Sequence, residues 1–211
     1  MAVLDEIAQA VIDGDEAHAP QLVEQALAAQ TPARAILNEG LLKGMTEVGR
    51  RFREGEYFIP EVLIAAEAMK AGSNALKPHL VAAGVKPEAT AVIGTVRGDL
   101  HDIGKNLVAT MLEGAGFEVV DLGVDVAPEQ FVAACRQRRV DVVAMSALLT
   151  TTMPMMEESI KKLRAELQPA PAILVGGAPV TQEYADKIGA NGYGKDAATG
   201  AEVAKSLALR Q

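Results

Sequence analysis

Apolar residues recur at every third or fourth position from residue 1 to about residue 86. From about residue 88 they gather instead into short β-branched runs separated by helical stretches. In the first part, "LDEIAQAVIDG" predicts a helix stopping near Gly14. "DEAHAPQLVEQALAAQ" sets Leu22, Val23, Ala26 and Leu27 on one stripe. Thr31 and Pro32 read as the N-cap and first position of a third helix, which runs through "ARAILNEGLLKGMTEVGRRFREG" to near Gly55. A fourth helix starts near Ile59-Pro60, and Pro78 is expected to kink or end it. Four helices with short connections predict a small bundle over residues 1–86.

The second part alternates. Strands are predicted at "TAVIGTV", "FEVVDLG", "VDVVAMSAL", "AILVGG" and "GYG". Helices are predicted at "GKNLVATMLEGAG", "PEQFVAACRQRR", "MPMMEESIKKLRAEL", "TQEYADKIG" and "DAATGAEVAKSLALR". Strands apolar on both faces and crossed by helices make a parallel sheet. Right-handed crossovers and five strands point to a flavodoxin-like, Rossmann-type α/β domain of order 2-1-3-4-5, here over residues 88–211. "VAAGVKPEAT" reads as the linker, so the change of period marks the domain boundary.

Composition narrows the partners. Hydrophobic residues make up 49% of the 211 positions, charged residues 23%, and the net charge is −8. A basic face for nucleic acid is not expected, and with aromatics at 3% neither is a base-stacking platform. No apolar run reaches the roughly 18 residues of a membrane span. The acidic start "MAVLDEIAQAVIDGDEA" has no basic leader, so no signal peptide is expected. Cys135 is the only cysteine, which fits a reducing cytoplasm.

In such a sheet a ligand sits outside the carboxyl ends of the strands where the order reverses. The loops that should meet there are "RGDLHDIG" and "SALLTTTMP". One carries His101 between Asp99 and Asp102, and the other carries Ser146, Thr150, Thr151 and Thr152. Gly176-Gly177 ends the fourth strand, where something must approach the backbone closely. The phosphate-binding Gly-x-Gly-x-x-Gly is missing after the first strand. Asp99 and His101 offer other chemistry, an imidazole whose second N–H is held by a carboxylate, as metal-ligating histidines are. One histidine cannot build a zinc site, but it suffices for a metal already held in a macrocycle.

The less specific positions have plainer readings. His18 and His79 read as surface residues, Cys135 as a small apolar filler, and Met153, Met155 and Met156 as core or pocket wall. The charges of "RRFREGE" read as a solvated face.

"DLHDIG" matches the Asp-x-His-x-x-Gly of cobalamin-binding domains. Forty-one residues separate Gly104 from Ser146 of "SAL", and 27 separate Leu148 from Gly176 of "GG". The combination resembles domains that bind vitamin B12 with its own base displaced. "VGRRFREGEYFIPEVLIAAEAMKAG" is similar to the helical module preceding that domain in cobalamin-dependent methionine synthase. The resemblance covers nearly the whole chain and extends to the free-standing corrinoid proteins of methanol, methylamine, glycine betaine and methoxyaromatic methyltransferase systems.

The resemblance implies a cytoplasmic methyl carrier. Its cofactor would be cobalamin, cycling between methylcobalamin and cob(I)alamin. A substrate-specific methyltransferase would load it, a second methyltransferase acting on tetrahydrofolate or a thiol would unload it, and a reductive activator would service it. His101 would ligate cobalt, Asp99 would bond the other ring nitrogen, and Thr152 would complete the relay. Gly98, Asp102, Ile103 and Gly104 of the motif loop would line the cofactor. Ser146 and Leu148 would line the slot for the displaced base, with Thr150 bonding the corrin periphery or the tail. Gly176 and Gly177 would receive the nucleotide loop, Ala197 would lie near the ligand, and Phe58 would cover the upper corrin face. The alternatives are a cobalamin-dependent regulator or light sensor, against which the missing Trp counts, and the small subunit of a carbon-skeleton mutase, against which the helical half counts.

Overall fold

A computed structural model describes residues 2–209. The chain divides into two compact units, residues 1–87 with 114–116, and residues 88–113 with 117–211.

The first unit is helical. α1 (Val3–Asp13) buries Ile7, Ala8, Ala10 and Val11 and stops at Gly14, whose left-handed backbone returns its N–H to Ala10 and Val11. α2 (His18–Ala28) buries Ala19, Leu22, Val23 and Ala26, and its first N–H is taken by the Asp15 carboxylate at 2.9 Å. The third predicted helix forms, but as α3 (Ala33–Ala35), a seven-residue π-helical stretch (Ile36–Leu42) and α4 (Lys43–Arg53) in unbroken succession. Its start differs by one residue from the expectation. Pro32 itself is the extended N-cap, and no Thr31 cap bond forms. Gly40 and Gly44 let α1 lie close. A Cβ on Gly40 would stand 2.9 Å from Ile7 Cγ2, and one on Gly44 2.8 Å from the Ala8 carbonyl.

α5 (Ile59–Ala82) opens with Pro60 in its first turn and with Glu61 accepting the Phe58 N–H at 2.9 Å. It buries Val62, Ala65, Ala68, Met69, Gly72 and Leu76. Pro78 does not end the helix, contrary to one of the two expectations for it. Pro78 and Asn74, the residue whose carbonyl proline cannot serve, are both exposed, and four more residues complete the helix. The irregular connection is correspondingly shorter than the expected linker, because Val81 and Ala82 belong to α5 and Ala89 and Thr90 to the first strand.

The second unit alternates β1 (Ala89–Thr95), α6 (Ile103–Gly114), β2 (Phe117–Asp121), α7 (Pro128–Gln137), β3 (Val142–Ser146), α8 (Pro154–Glu166), β4 (Ala172–Gly176), α9 (Gln182–Ile188), β5 (Gly192–Gly194) and α10 (Ala197–Ala208). The expected last helix ran on to Arg210, which lies outside the described residues. All strand pairs are parallel and the order is β2-β1-β3-β4-β5, the arrangement anticipated from the sequence. The strands alternate faces. Val92, Val143, Met145, Ile173 and Val175 enter a core with Phe131, Val132, Met156, Ile160 and Leu163 of α7 and α8. Cys135 packs against that core with its thiol pushed up to about 11 by burial, the state of an apolar filler. The register aligns Thr95, Ser146, Gly176 and Gly194 in one row at the carboxyl edge of the sheet. Among the described residues no helix is long and apolar enough to cross a membrane.

Candidate functional site

Five loops leave that edge, one after each parallel strand. The one after β1 is tied down at once. Val96 donates to the Ser146 carbonyl at 3.0 Å, and Gly98, at φ 81°, donates to Asp125 Oδ1 at 2.7 Å. Asp99 comes next, fully buried. Its Oδ1 accepts His101 Nδ1 at 2.7 Å and the His101 main-chain N–H at 3.1 Å. Its Oδ2 accepts the N–H groups of Leu148 (2.7 Å) and Leu149 (3.2 Å) and the Thr152 hydroxyl (2.8 Å). One carboxylate thus joins two loops about 50 residues apart in sequence. Burial alone would push the Asp99 carboxyl up. The hydrogen bonds from His101, Leu148 and Thr152 outweigh it and hold the group well below the usual carboxylate range.

An ionised Asp99 dictates the state of its neighbours. Thr152 Oγ1 lies within reach of both Asp99 Oδ2 and the Leu149 carbonyl, at 2.9 Å, but has one proton, and the charged acceptor is the stronger partner. His101 must carry a proton on Nδ1, so the neutral imidazole keeps its lone pair on Nε2. Nε2 has no hydrogen bond among the described residues, and the side chain is half exposed. The main chain of His101 is held as well, its carbonyl accepting from the buried Thr95 hydroxyl at 2.8 Å.

Beside His101 a cleft of about 550 Å³ opens along the strand ends. Its floor is the sheet face of Ile93, Ala144 and Leu174, and the first turns of α6 and α10 wall it. Asp102, Ile103, Gly104, Ser146, Leu148, Gly176, Gly177 and Ala197 all line it. The two terminal glycines of β4 have a reason within the chain itself. A Cβ on Gly177, at φ 129°, would fall 1.9 Å from the Ala147 carbonyl, and one on Gly176 2.9 Å from that of Gly194. Gly104 is different, since nothing lies within 4 Å of where its Cβ would be.

Residues 89–202 match one B12 binding domain family, and residues 3–77 match a second B12 binding domain family. A corrinoid protein of Desulfitobacterium hafniense is 41% identical over 98% of either chain. A trimethylamine corrinoid protein of Methanosarcina mazei is 46% identical over 89% of this chain and 87% of its own. Among solved structures, a cobalamin-binding protein of Desulfitobacterium hafniense superposes with a TM-score of 0.80 at 36% identity, covering 97% of this chain and 98% of its own. The methanol:cobalamin methyltransferase complex of Methanosarcina barkeri superposes with 0.87 at 31% identity over 99% of this chain and 80% of its own. The chain is a corrinoid protein, and cobalamin is its cofactor.

The residues of this corrinoid protein fit that cofactor. No group of three or more His, Cys, Asp or Glu among the described residues could hold a bare metal ion, so a single free Nε2 suits a metal that arrives already ringed by nitrogen. Exposed aliphatic residues neighbour His101, in its own loop and in the loop bonded to Asp99. Leu100 and Ile103 are 72% and 73% exposed, and Leu148 and Leu149 42% each. Such a patch makes little sense against water and good sense beneath a flat, largely apolar macrocycle.

Not every expected residue reaches the cleft. Asp99 and Thr152 stand behind it, Gly98 shapes the loop, and Thr150 is exposed outside the lining. Phe58 belongs to the helical unit, where it is exposed, as are Ile59, Leu63 and Ile64 near it in sequence. Reading the sequence missed Thr95, Leu100, Leu149 and Gly200. Leu100 sits inside "DLHDIG", and Gly200 is a glycine in the first turn of a helix, so both carried a local signal. Thr95 and Leu149 matter through contacts that only the fold creates.

Proposed function

We propose that this corrinoid protein is a methyl carrier that holds cobalamin with its benzimidazole displaced and His101 in its place. The observation that carries the reading is the 2.7 Å bond from His101 Nδ1 to a buried carboxylate, which leaves Nε2 free before an apolar patch and beside an open cleft. When bound, cobalamin supplies a metal centre able to accept and surrender a methyl group. The chain supplies the rest. His101 provides the lower ligand through Nε2. Asp99 fixes the tautomer and strengthens the imidazole as a donor, and Thr152 donates to Asp99 from behind. A proton taken up on the Asp99–His101 pair weakens that donor, and a proton released restores it. The cleft takes the displaced tail, with Ser146, Leu148, Gly176, Gly177 and Ala197 along its walls. Gly98, Asp102, Ile103 and Gly104 keep the motif loop against the cofactor, and Thr150 bonds its periphery.

The domain assignment accords with the same reading, with residues 1–86 as the helical cap and 88–211 as the cobalamin domain. A substrate-specific methyltransferase delivers the methyl group, consistent with relatives named for trimethylamine and with a neighbour crystallised as a methyltransferase complex. A second methyltransferase passes it to tetrahydrofolate or a thiol, a reductive activator rescues oxidised cobalt, and the cycle runs in the cytoplasm, where the lone cysteine stays reduced.

The test is the spin spectrum of the protein loaded with cob(II)alamin. Natural-abundance protein should show a nitrogen triplet, and uniform labelling with nitrogen-15 should turn it into a doublet. A triplet that survives labelling would mean the cofactor keeps its own base, and the reading fails. Light-dependent reassembly with adenosylcobalamin would identify a regulator instead.

A further inference from the structure

We infer that Thr95 is a positioning residue for the cobalt ligand. Its buried hydroxyl, by holding the His101 carbonyl, fixes the main chain from which the imidazole projects. The inference rests on the reading of His101 as the metal ligand and extends it to a residue outside the motif loop.

Residues 99–102 belong to no helix or strand, so no ladder of backbone bonds orders them. His101 is instead gripped at three atoms. Asp99 takes its main-chain N–H and its Nδ1, and Thr95 takes its carbonyl. The Asp99 grip comes from inside the same loop. The Thr95 grip comes from the sheet.

Thr95 is the more rigid anchor. It is fully buried at the carboxyl end of β1 and pairs in register with Ser146. Its N–H donates to the Gly123 carbonyl at 3.0 Å, and its carbonyl accepts from Val126 at 2.9 Å. A β-branched side chain on a backbone fixed from both neighbouring segments has little freedom at χ1, so its hydroxyl is held in place. Through it the position of the imidazole is referred to the central strand. A ligand already in place loses little entropy when the metal bond forms.

A buried threonine needs a hydrogen-bond partner whatever its role, and any substitution here could act through stability alone. A double-mutant cycle separates the two. The dissociation constant for hydroxocobalamin is measured by absorbance in the full-length wild type, Thr95→Val, His101→Ala and the double variant. If Thr95 acts through the ligand, Thr95→Val weakens binding about fivefold, the worth of one neutral hydrogen bond. It then has no effect when His101 is already alanine. Thr95→Ser, which keeps the hydroxyl, binds as the wild type does. Equal weakening in both backgrounds, an unaltered Thr95→Val, or a Thr95→Ser as weak as Thr95→Val each overturns the inference. If the valine variant does not fold, Thr95→Ala enters the same cycle. If His101→Ala binds as tightly as the wild type, the ligand assignment itself is wrong and Thr95 loses its role with it. A silent Thr95→Val beside a weakened His101→Ala removes the inference alone.

Discussion

At the scale of single residues, the site turns on which atom of His101 bears the proton. Asp99→Asn tests this without changing shape. The asparagine oxygen must face the donors from Leu148, Leu149 and Thr152, which leaves the NH2 group facing His101. An NH2 there can only donate to Nδ1, so the imidazole proton moves to Nε2 and the lone pair needed for cobalt is lost. The same NH2 opposes the His101 main-chain N–H, so one hydrogen bond is also forfeited, at about 1–3 kcal/mol. The expected outcome is a folded protein with a melting point a few degrees lower, binding cobalamin about ten- to a hundredfold more weakly and without the histidine nitrogen splitting. Circular dichroism and the cob(II)alamin spectrum check the two parts separately. Much of this site was legible because Asp99, His101 and Gly104 sit in one short motif. The donors of Leu148 and Leu149 were not, since main-chain N–H groups leave no trace in residue identity and the fold alone brings them to Asp99.

At the scale of elements, the change of hydrophobic period at the end of α5 was enough to fix the order of helices and strands. Parallel strands buried on both faces read as apolar runs, and few other segments do. Two details escaped. The π stretch Ile36–Leu42 leaves no mark on a stripe drawn at 3.6-residue spacing, and the rule that proline ends a helix does not hold at Pro78, which lies on an exposed stretch of α5. Two helices also yield predictions. Gly104, in the first turn of α6, has open space where a methyl group would go, and glycine costs a helix up to about 1 kcal/mol relative to alanine. Gly104→Ala should therefore raise the melting temperature of the cofactor-free protein while weakening cobalamin binding, because the added methyl lines the cleft. Tighter binding would show that the space serves nothing.

In α4, the "RRFREGE" charges are a connected network rather than merely a solvated face. Arg50 donates to Glu47, Glu54 and Glu56, while Arg51 donates to Glu47 and stacks 5.2 Å from the Tyr57 ring centre. Hydrogen bonds from Arg50 and then Arg51 hold Glu47 down to about 2 from an ordinary 4.5. A depressed carboxyl stabilises the fold fully above its unfolded value and loses that contribution as pH falls toward its folded one. Glu47→Gln should thus melt below the wild type at neutral pH, with the gap closing from about pH 4.5 toward 2. A gap unchanged across that range would show that the network does not stabilise the helix.

At the scale of the whole molecule, the question is what the chain does alone. Its cleft is one continuous space at the strand ends, lined in part by His101 and occupied on the proposed reading by the cofactor's own tail. Nothing among the cleft-lining residues then remains to recognise a methyl donor. The curated relatives point the same way, since chains 41–46% identical to this one carry names for trimethylamine, dimethylamine or no substrate at all. A scaffold so similar across different named substrates is expected if the partner enzyme chooses the donor. The protein loaded with reduced cobalamin should consequently show no methyl uptake from methanol, methylamines, glycine betaine or methoxylated aromatics when each is supplied alone. Uptake should appear with one of them once its methyltransferase is added, and substituting Leu148 or Ser146 should change the amount of cofactor bound without changing which donor is used. Methyl uptake from any donor without a partner enzyme would place the donor site on this chain and contradict the carrier role.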